Sequence, residues 1–121
     1  PDVHVLAEAP YRWLLPRMAA VIHHGGAGTT TEALLAAVPS AAVSIGADQP
    51  FFGRRVHELG AGPKPVRKAS LTAERLAALI TSLTGDAAAS YRAAARTVRE
   101  RLLAERGVQV AADRLTCVLM P

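Results

Sequence analysis

Residues 22–32 have the sequence IHHGGAGTTTE, in which three glycines separate an apolar run from a helix-forming stretch. The apolar run at 19–22 is typical of a strand that is buried on both faces. The stretch at 29–37 places Leu34 and Leu35 on one face of a helix. Glycines allow close backbone approach, and a helix start presents unpaired N–H groups and the positive end of the helix dipole. These residues therefore predict an anion site, most naturally a phosphate site.

A second strand–helix unit follows the first. The apolar residues at 41–45 predict another buried strand, and Pro50 begins a helix that ends at Gly60. We expect two further brief strands, one at residues 3–6 and one within residues 61–66. Short strands that alternate with helices predict an α/β fold with a Rossmann-like parallel sheet.

Helices fill the remainder of the chain. From Thr72 onward, apolar residues recur at helical spacing and predict three helices, which Gly85 and Gly107 separate. Each strand of a parallel sheet needs neighbouring strands, and both faces of such a sheet are normally covered by helices. The few strands predicted here are too few for a complete sheet of this kind. We therefore expect residues 1–121 to form one domain whose sheet is incomplete on its N-terminal side.

Length and composition exclude several classes of protein. A chain of 121 residues, of which 50% are hydrophobic, is long and apolar enough to fold as a single domain. It has no apolar run of membrane-spanning length and no secretion leader, so we expect a cytoplasmic protein without a membrane span. Its single cysteine, Cys117, excludes an internal disulfide and a multi-thiolate metal site, and the histidine spacing does not favour a metal.

The positive charge of the chain does not favour nucleic acid as a partner. The formal net charge is +4, and Arg92, Arg96 and Arg99 fall on one helical stripe. Nucleic-acid-binding surfaces combine such charges with aromatic side chains that stack on bases, but only 4% of the residues are aromatic. We interpret the stripe as a solvated helix face.

Two adjacent histidines precede the glycines. Successive side chains of a strand point to opposite sides, so one histidine faces the protein and the other faces the ligand crevice. His24 is next to the loop and is the candidate donor of a hydrogen bond to phosphate. His23 is expected to be a hydrogen-bonded structural residue.

Three polar residues beyond the glycines have more than one interpretation. Glu32 follows Thr29 at capping-box spacing, but it equally suits the hydroxyls of a ribose one turn below the phosphates. Asp48 and Gln49 follow the second strand at the same sheet edge, where they either cap the next helix or bind sugar hydroxyls. Asp48 also lies about 20 residues after Gly28, which keeps a nicotinamide-dinucleotide-binding fragment as an alternative.

Four linked motifs resemble those of one family. They are residues 23–30 (HHGGAGTT), 37–40 (AVPS), 48–51 (DQPF) and 53–56 (GRRV). Together they resemble the nucleotide-sugar-binding half of family 1 glycosyltransferases, and most closely the sterol glucosyltransferase-like, macrolide and glycopeptide branches. The resemblance runs from Val3 to about Leu83. It implies the GT-B fold of two facing Rossmann-like domains, with this chain as part of the C-terminal domain and its trailing helices.

The resemblance also implies a role for each candidate residue. The residues that would bind the diphosphate of the donor are His24, Gly26, Ala27, Gly28 and Thr29. Glu32 would bind the ribose hydroxyls, and Asp48 with Gln49 would bind the transferred sugar. Glu8 stands where many relatives have a base-stacking tryptophan, and we expect Trp13 to pack in the core.

The activity that the resemblance implies is hexose transfer from a UDP or TDP sugar to a hydroxyl of a lipid or natural product, with inversion and without a cofactor. In the family, the catalytic base and most of the acceptor pocket belong to the N-terminal domain, so we assign no catalytic residue in this chain. We expect the chain to bind a nucleotide sugar and to be catalytically incomplete without that domain. Because an incomplete sheet exposes strand edges and apolar patches, we also expect a homo-oligomer or a partner chain. A non-catalytic nucleotide-sugar-binding or interaction module is a further alternative.

Overall fold

The computed structural model describes residues 2–119, in which strands and helices alternate at first and helices alone follow. The strands are β1 (Val21–His23), β2 (Ser40–Ser44) and β3 (Val66–Arg67). The helices are α1 (Tyr11–Leu14), α2 (Ala27–Leu35), α3 (Gln49–Glu58), α4 (Ala73–Thr84), α5 (Ala88–Ala104) and α6 (Gly107–Leu119). Two 3-10 turns, Leu15–Arg17 and Lys68–Ser70, follow α1 and β3.

The strands form a parallel sheet in the order β1-β2-β3. His23 of β1 pairs with Ala42 of β2, and Val43 of β2 pairs with Val66 of β3. Because the strands are parallel, their carboxyl ends lie at one edge of the sheet, where open α/β folds bind ligands. The α/β class and the parallel sheet predicted from the sequence are confirmed.

Helices cover both faces of the sheet. The cluster that joins α2, α3 and α5 consists of Leu34, Val56, Ala61, Ala95 and Val98. The cluster between the sheet and α4 consists of Ala41, Leu79 and Leu83. Neighbouring residues of β2 point to opposite faces, since Ala41 belongs to the second cluster while Ala42 lies against Gly53 of α3. This packing holds α2 and α3 with their N-termini at the carboxyl edge of the sheet.

Arg92 of α5 forms hydrogen bonds with both the segment before β1 and the residues that follow α2. Its guanidinium donates to the carbonyl oxygen of Ala19 at 2.9 Å and to that of Ala37 at 3.4 Å. The predicted solvated face is therefore confirmed for Arg96 and Arg99, which are exposed, but it is wrong for Arg92. Arg92 is half-buried, and it donates to carbonyl oxygens of the connecting segments before β1 and after α2.

The strand expected at residues 3–6 does not form in the described part of the chain. The side chains of Val3, Val5 and Leu6 are 75%, 93% and 62% exposed. A strand is stable when its backbone N–H and C=O groups are paired, and within residues 2–119 no strand pairs with this segment.

The prediction that Trp13 packs in the core is wrong. Its helix, α1, is a single turn at the surface, and the Trp13 side chain is 57% exposed. The guanidinium of Arg17 lies over the indole, 4.6 Å from the ring centroid. Trp13 therefore makes a cation–π contact at the surface instead of a core contact.

The three helices predicted after Thr72 are present as α4, α5 and α6. The last of them, α6, is exposed along its whole length. None of the helices described between residues 2 and 119 is long and apolar enough to cross a membrane.

Candidate functional site

The loop between β1 and α2 is shaped by a hydrogen bond to a histidine. The N–H of Gly25 donates to Nδ1 of His23 at 3.0 Å. Gly25 has a φ of +90°, which side chains rarely allow. The chain therefore turns sharply at the end of β1, and His23 is the hydrogen-bonded structural residue that the sequence predicts.

His23 is held in its neutral form. Burial, with a smaller contribution from the neighbouring His24, lowers the pKa of His23 to about 4. Because Nδ1 accepts a hydrogen bond, the proton of the neutral ring is on Nε2, a buried atom for which residues 2–119 provide no partner. At neutral pH, His23 is thus a fixed acceptor for the loop.

His24 points away from the protein, as the alternation of the strand predicts. Its side chain is exposed, and its ring lies so close to Gly26 that a Cβ at that position would overlap Nε2. A residue larger than glycine at position 26 would displace the ring. The imidazole of His24 is therefore placed beside the N-terminus of α2.

The N-terminus of α2 is open. Gly26 is the N-cap residue, no side chain caps this end of the helix, and the Gly26 carbonyl accepts from the N–H and the hydroxyl of Thr30 at 2.9 and 2.8 Å. Ala27 and Gly28 are exposed, Thr29 is half-buried, and a Cβ on Gly28 would meet nothing within 4 Å. This arrangement leaves N–H groups and the positive end of the helix dipole for an anion.

The capping-box interpretation of Glu32 is wrong. Thr29 lies inside α2, whose N-cap is Gly26, so it cannot be the N-cap of a capping box. The carboxylate of Glu32 instead forms an ion pair with Arg12, whose Nε is 3.6 Å from Oε1. No local spacing predicts this partner, because Arg12 belongs to α1 and reaches Glu32 only through the fold.

A groove, here called the α1 groove, runs along the segment before α1 and reaches Glu32. Its larger part has a volume of about 890 Å³ and is lined by residues 6–11 and Leu14. Its smaller part has a volume of about 400 Å³ and is lined by residues 9–12 and Glu32. Residues 9–11 line both parts. Tyr11, which is 48% exposed, is the aromatic side chain that lines both.

The loop between β2 and α3 is closed by its own glutamine. Oε1 of Gln49 accepts from the N–H of Ile45 at 2.8 Å and from that of Gly46 at 3.2 Å. Ala47, which lies in the turn between Gly46 and Gln49, has a φ of +54°. This left-handed conformation is strained for a residue with a Cβ. Asp48 is the N-cap of α3 but makes no side-chain cap bond, so the capping interpretation is wrong for its carboxylate, which is exposed.

The two loops contact each other at Gly25. A Cβ on the buried Gly25 would lie 2.8 Å from the backbone oxygen of Gln49. The structure thus brings the predicted diphosphate residues and the predicted sugar residues, Asp48 and Gln49, to one edge of the sheet. Glu32 lies farther along α2, beside the α1 groove.

Comparison with known proteins assigns the family. Residues 1–117 match the family described as Erythromycin biosynthesis protein CIII-like, C-terminal domain. The chain belongs to this family. The resemblance to the C-terminal half of family 1 glycosyltransferases, inferred from the four motifs, is thereby confirmed.

Two relatives of this EryCIII-like domain are glycosyltransferases of different kingdoms. O-mycaminosyltylonolide 6-deoxyallosyltransferase of Streptomyces fradiae is 44% identical over 119 residues, which are 98% of this chain and 26% of that enzyme. A sterol 3-beta-glucosyltransferase of Arabidopsis thaliana is 40% identical over 106 residues, which are 88% of this chain and 16% of that enzyme. The chain therefore spans about a quarter or less of the length of these relatives.

Solved structures of glycosyltransferases share the fold. The glycosyltransferase of kitacinnamycin superimposes with a TM-score of 0.83 at 29% identity, over 96% of this chain and 29% of that chain. The glycosyltransferase VinC, in complex with DTDP, superimposes with a TM-score of 0.74 at 34% identity, over 83% of this chain and 25% of that chain. The EryCIII-like domain thus has the fold of a GT-B glycosyltransferase C-terminal domain.

Proposed function

We propose that this EryCIII-like domain binds the sugar donor of an inverting glycosyltransferase, which transfers a hexose from a UDP or TDP sugar to a hydroxyl of a lipid or natural product. The observation that carries the proposal is the open N-terminus of α2 with the His24 ring beside it. The glycosyltransferase activity of the relatives and the DTDP complex of VinC support the choice of ligand class.

The diphosphate binds at the start of α2. The backbone N–H groups of Ala27, Gly28 and Thr29 donate to its oxygens, and the absence of a Cβ at Gly26 lets the His24 ring approach the same place. A diphosphate carries several negative charges, so it gains from the helix dipole as well as from the hydrogen bonds.

The nucleoside lies in the α1 groove. The carboxylate of Glu32 accepts hydrogen bonds from the ribose, and the smaller part of the groove beside it holds the sugar ring. The base occupies the larger part, where Glu8 replaces the tryptophan of many relatives and Tyr11 supplies an aromatic surface.

The transferred hexose binds against the β2–α3 loop. The exposed carboxylate of Asp48 accepts from sugar hydroxyls. Oε1 of Gln49 is engaged by the loop backbone, so its NH₂ group is the part of the amide that donates to the sugar. The contact between Gly25 and Gln49 fixes the sugar site relative to the diphosphate site.

Catalysis by this domain consists of stabilising the leaving group. The bond from the anomeric carbon to the diphosphate breaks while an acceptor oxygen attacks from the opposite face, and negative charge grows on the departing diphosphate. Donors that are already aimed at the diphosphate, namely the N–H groups of α2 and the His24 ring, stabilise that charge. In a complete active site, removal of His24 should cost on the order of 10²-fold in rate.

The reaction needs groups beyond those of this domain. The acceptor hydroxyl must lose a proton, and we assign no base for that step among the candidate residues. Since the relatives are about four times as long or longer, we propose that a further, acceptor-binding domain supplies the base. The 121-residue chain alone then binds the donor without transferring the sugar.

The test is calorimetric titration of the 121-residue chain with UDP-glucose, TDP-glucose and NAD. We expect a nucleotide sugar to bind and to outcompete NAD. His24→Ala should weaken nucleotide-sugar binding roughly 10- to 100-fold, the range for a hydrogen bond to a charged group. His4→Ala, which removes an exposed histidine from residues 2–10, is the matched control and should leave the affinity unchanged.

Preferential binding of NAD would favour the dinucleotide alternative instead. An unchanged affinity in His24→Ala would remove His24 from the proposed diphosphate site even if a nucleotide sugar bound. Sugar transfer by the 121-residue chain itself would contradict the need for a second domain.

A further inference from the structure

Arg12 lies beside the carboxylate that the proposed function assigns to the ribose. Its Nε is 3.6 Å from Oε1 of Glu32, and both residues line the smaller part of the α1 groove. The Arg12 side chain is 86% exposed, whereas that of Glu32 is 27% exposed. The carboxylate is therefore held on α2, while the guanidinium is free to stay or to move when a ligand enters.

A ribose and a 2′-deoxyribose offer this carboxylate different numbers of donors. A carboxylate only accepts hydrogen bonds, and it does so through two oxygens. The 2′- and 3′-hydroxyls of a ribose can satisfy both oxygens, whereas a 2′-deoxyribose has only the 3′-hydroxyl. A ligand that covers Glu32 and leaves one oxygen without a donor incurs a desolvation cost.

We propose that Arg12 reduces the preference of the site for a ribonucleotide over a 2′-deoxyribonucleotide, an inference that rests on the proposed function. With a deoxyribonucleotide bound, Arg12 stays at Oε1 of Glu32, and the 3′-hydroxyl donates to Oε2. With a ribonucleotide bound, the 2′-hydroxyl competes with Arg12 for Oε1. The arginine thus stands in for a missing hydroxyl and makes donors built on thymidine diphosphate acceptable.

The test compares UDP with 2′-deoxyuridine diphosphate, which share the base and the diphosphate and differ only at the 2′ position. Calorimetry gives the two dissociation constants for the 121-residue chain and for Arg12→Ala. We expect the ratio of the deoxy to the ribo dissociation constant to rise roughly two- to fivefold in Arg12→Ala, the range that an exposed ion pair allows. The rise should come mainly from weaker binding of the deoxyribonucleotide.

Two further variants make the result specific. Arg99→Ala removes the same charge from an adjoining groove that Glu32 also lines, and it should leave the ratio unchanged. Glu32→Ala removes the carboxylate that both the ribose and Arg12 use. The ratio of the deoxy to the ribo dissociation constant should therefore approach one, both in Glu32→Ala and in the double variant that also carries Arg12→Ala.

The possible failures are distinguishable. If both nucleotides bind and Arg12→Ala has the wild-type ratio, the inference is overturned and the proposed function stands. A change of equal size in Arg99→Ala would also overturn it, because the effect would then come from net charge. If neither nucleotide binds the wild-type chain, the inference and the proposed function are both overturned.

Discussion

The two loops at the carboxyl edge of the sheet are closed in the same way but leave different groups exposed. In each loop one side chain accepts hydrogen bonds from the backbone: His23 accepts from Gly25, and Gln49 accepts from Ile45 and Gly46. The β1–α2 loop then leads into a helix without a side-chain cap. The β2–α3 loop leads into α3, which also lacks a side-chain cap and whose first residue is the acceptor itself. The N–H groups of Gln49, Phe51 and Phe52 donate to the carbonyls of Gly46 and Asp48, and Pro50 has no N–H, so the start of α3 offers no free donors comparable to those of α2.

This difference suits the loops to different parts of one ligand. Free backbone N–H groups and a helix dipole favour a multiply charged anion, as in the β1–α2 loop. An exposed carboxylate and an amide favour neutral hydroxyl groups, as at Asp48 and Gln49 in the β2–α3 loop. The acceptor in the β1–α2 loop is a histidine, which can be protonated, whereas the acceptor in the β2–α3 loop is a glutamine, which cannot. Only the hydrogen bond in the β1–α2 loop therefore depends on pH.

The largest expected effect comes from separating the loops at the point where they touch. Gly25→Ala places a Cβ 2.8 Å from the Gln49 backbone oxygen at a φ of +90°. The strained backbone alone should lower the free energy of unfolding by about 1–3 kcal/mol, and the overlap adds to this. Urea unfolding measures the loss, and donor binding should fall with it because both loops shift.

Gly28→Ala is the matched control for that change. Its Cβ would meet nothing within 4 Å, and it lies in the first turn of α2, so the free energy of unfolding should stay the same or rise by roughly 0.5–1 kcal/mol. The new methyl group would lie where we place the diphosphate, so donor affinity should fall. Equal stabilities of the two variants would contradict the close packing of the loops.

The next largest expected effect is a pH dependence of the free energy of unfolding, which comes from His23 in the β1–α2 loop. The pKa of His23 is about 4 in the folded chain, against an ordinary value of 6.5 in the unfolded chain. Between these values the unfolded chain binds the proton and the folded chain does not. The free energy of unfolding therefore decreases as the pH falls from about 6.5 to about 4, and His23 contributes at most about 1.4 kcal/mol per pH unit to this decrease.

Urea unfolding at pH 7 and pH 5 measures this dependence. His23→Gln keeps an acceptor near the Gly25 N–H but does not titrate, so its stability should decline less between the two pH values than that of the wild-type chain. If the two decline equally, His23 does not close the first loop in its neutral form.

The smallest expected effect is on the affinity for the hexose part of the donor. Gln49→Glu keeps an Oε1 acceptor for Ile45 and Gly46 but removes the NH₂ donor, so it should reduce the affinity for UDP-glucose relative to UDP roughly two- to tenfold. Gln49→Ala should have the same effect on binding and also lower the stability, because the strained turn at Ala47 loses both hydrogen bonds. Equal losses of UDP and UDP-glucose would show that Gln49 does not touch the hexose.

Local patterns predicted the centre of the fold and the candidate site because strand, glycine turn and helix follow one another directly in the sequence. The inward and outward directions of His23 and His24 follow from strand alternation alone. Contacts between distant segments could not be predicted in this way. The pairing of Arg12 with Glu32 and the burial of Arg92 depend on how separate helices pack.

The apolar pattern of residues 3–6 and the single indole at Trp13 were misleading for a related reason. An apolar pattern specifies a buried element only where a partner covers it, and both segments are exposed in the described part of the chain. The strained φ of Ala47 likewise has no sequence signal, since alanine is not typical of the left-handed region.

The central claim is that the start of α2 binds a diphosphate, and a crystal structure of the 121-residue chain with UDP-glucose tests it most directly. We expect diphosphate oxygens at roughly 3 Å from the N–H groups of Ala27 and Gly28, with the His24 ring within hydrogen-bond distance and the hexose beside Asp48. A donor bound elsewhere, with these N–H groups facing water or bonded to the chain's own side chains, would contradict the account.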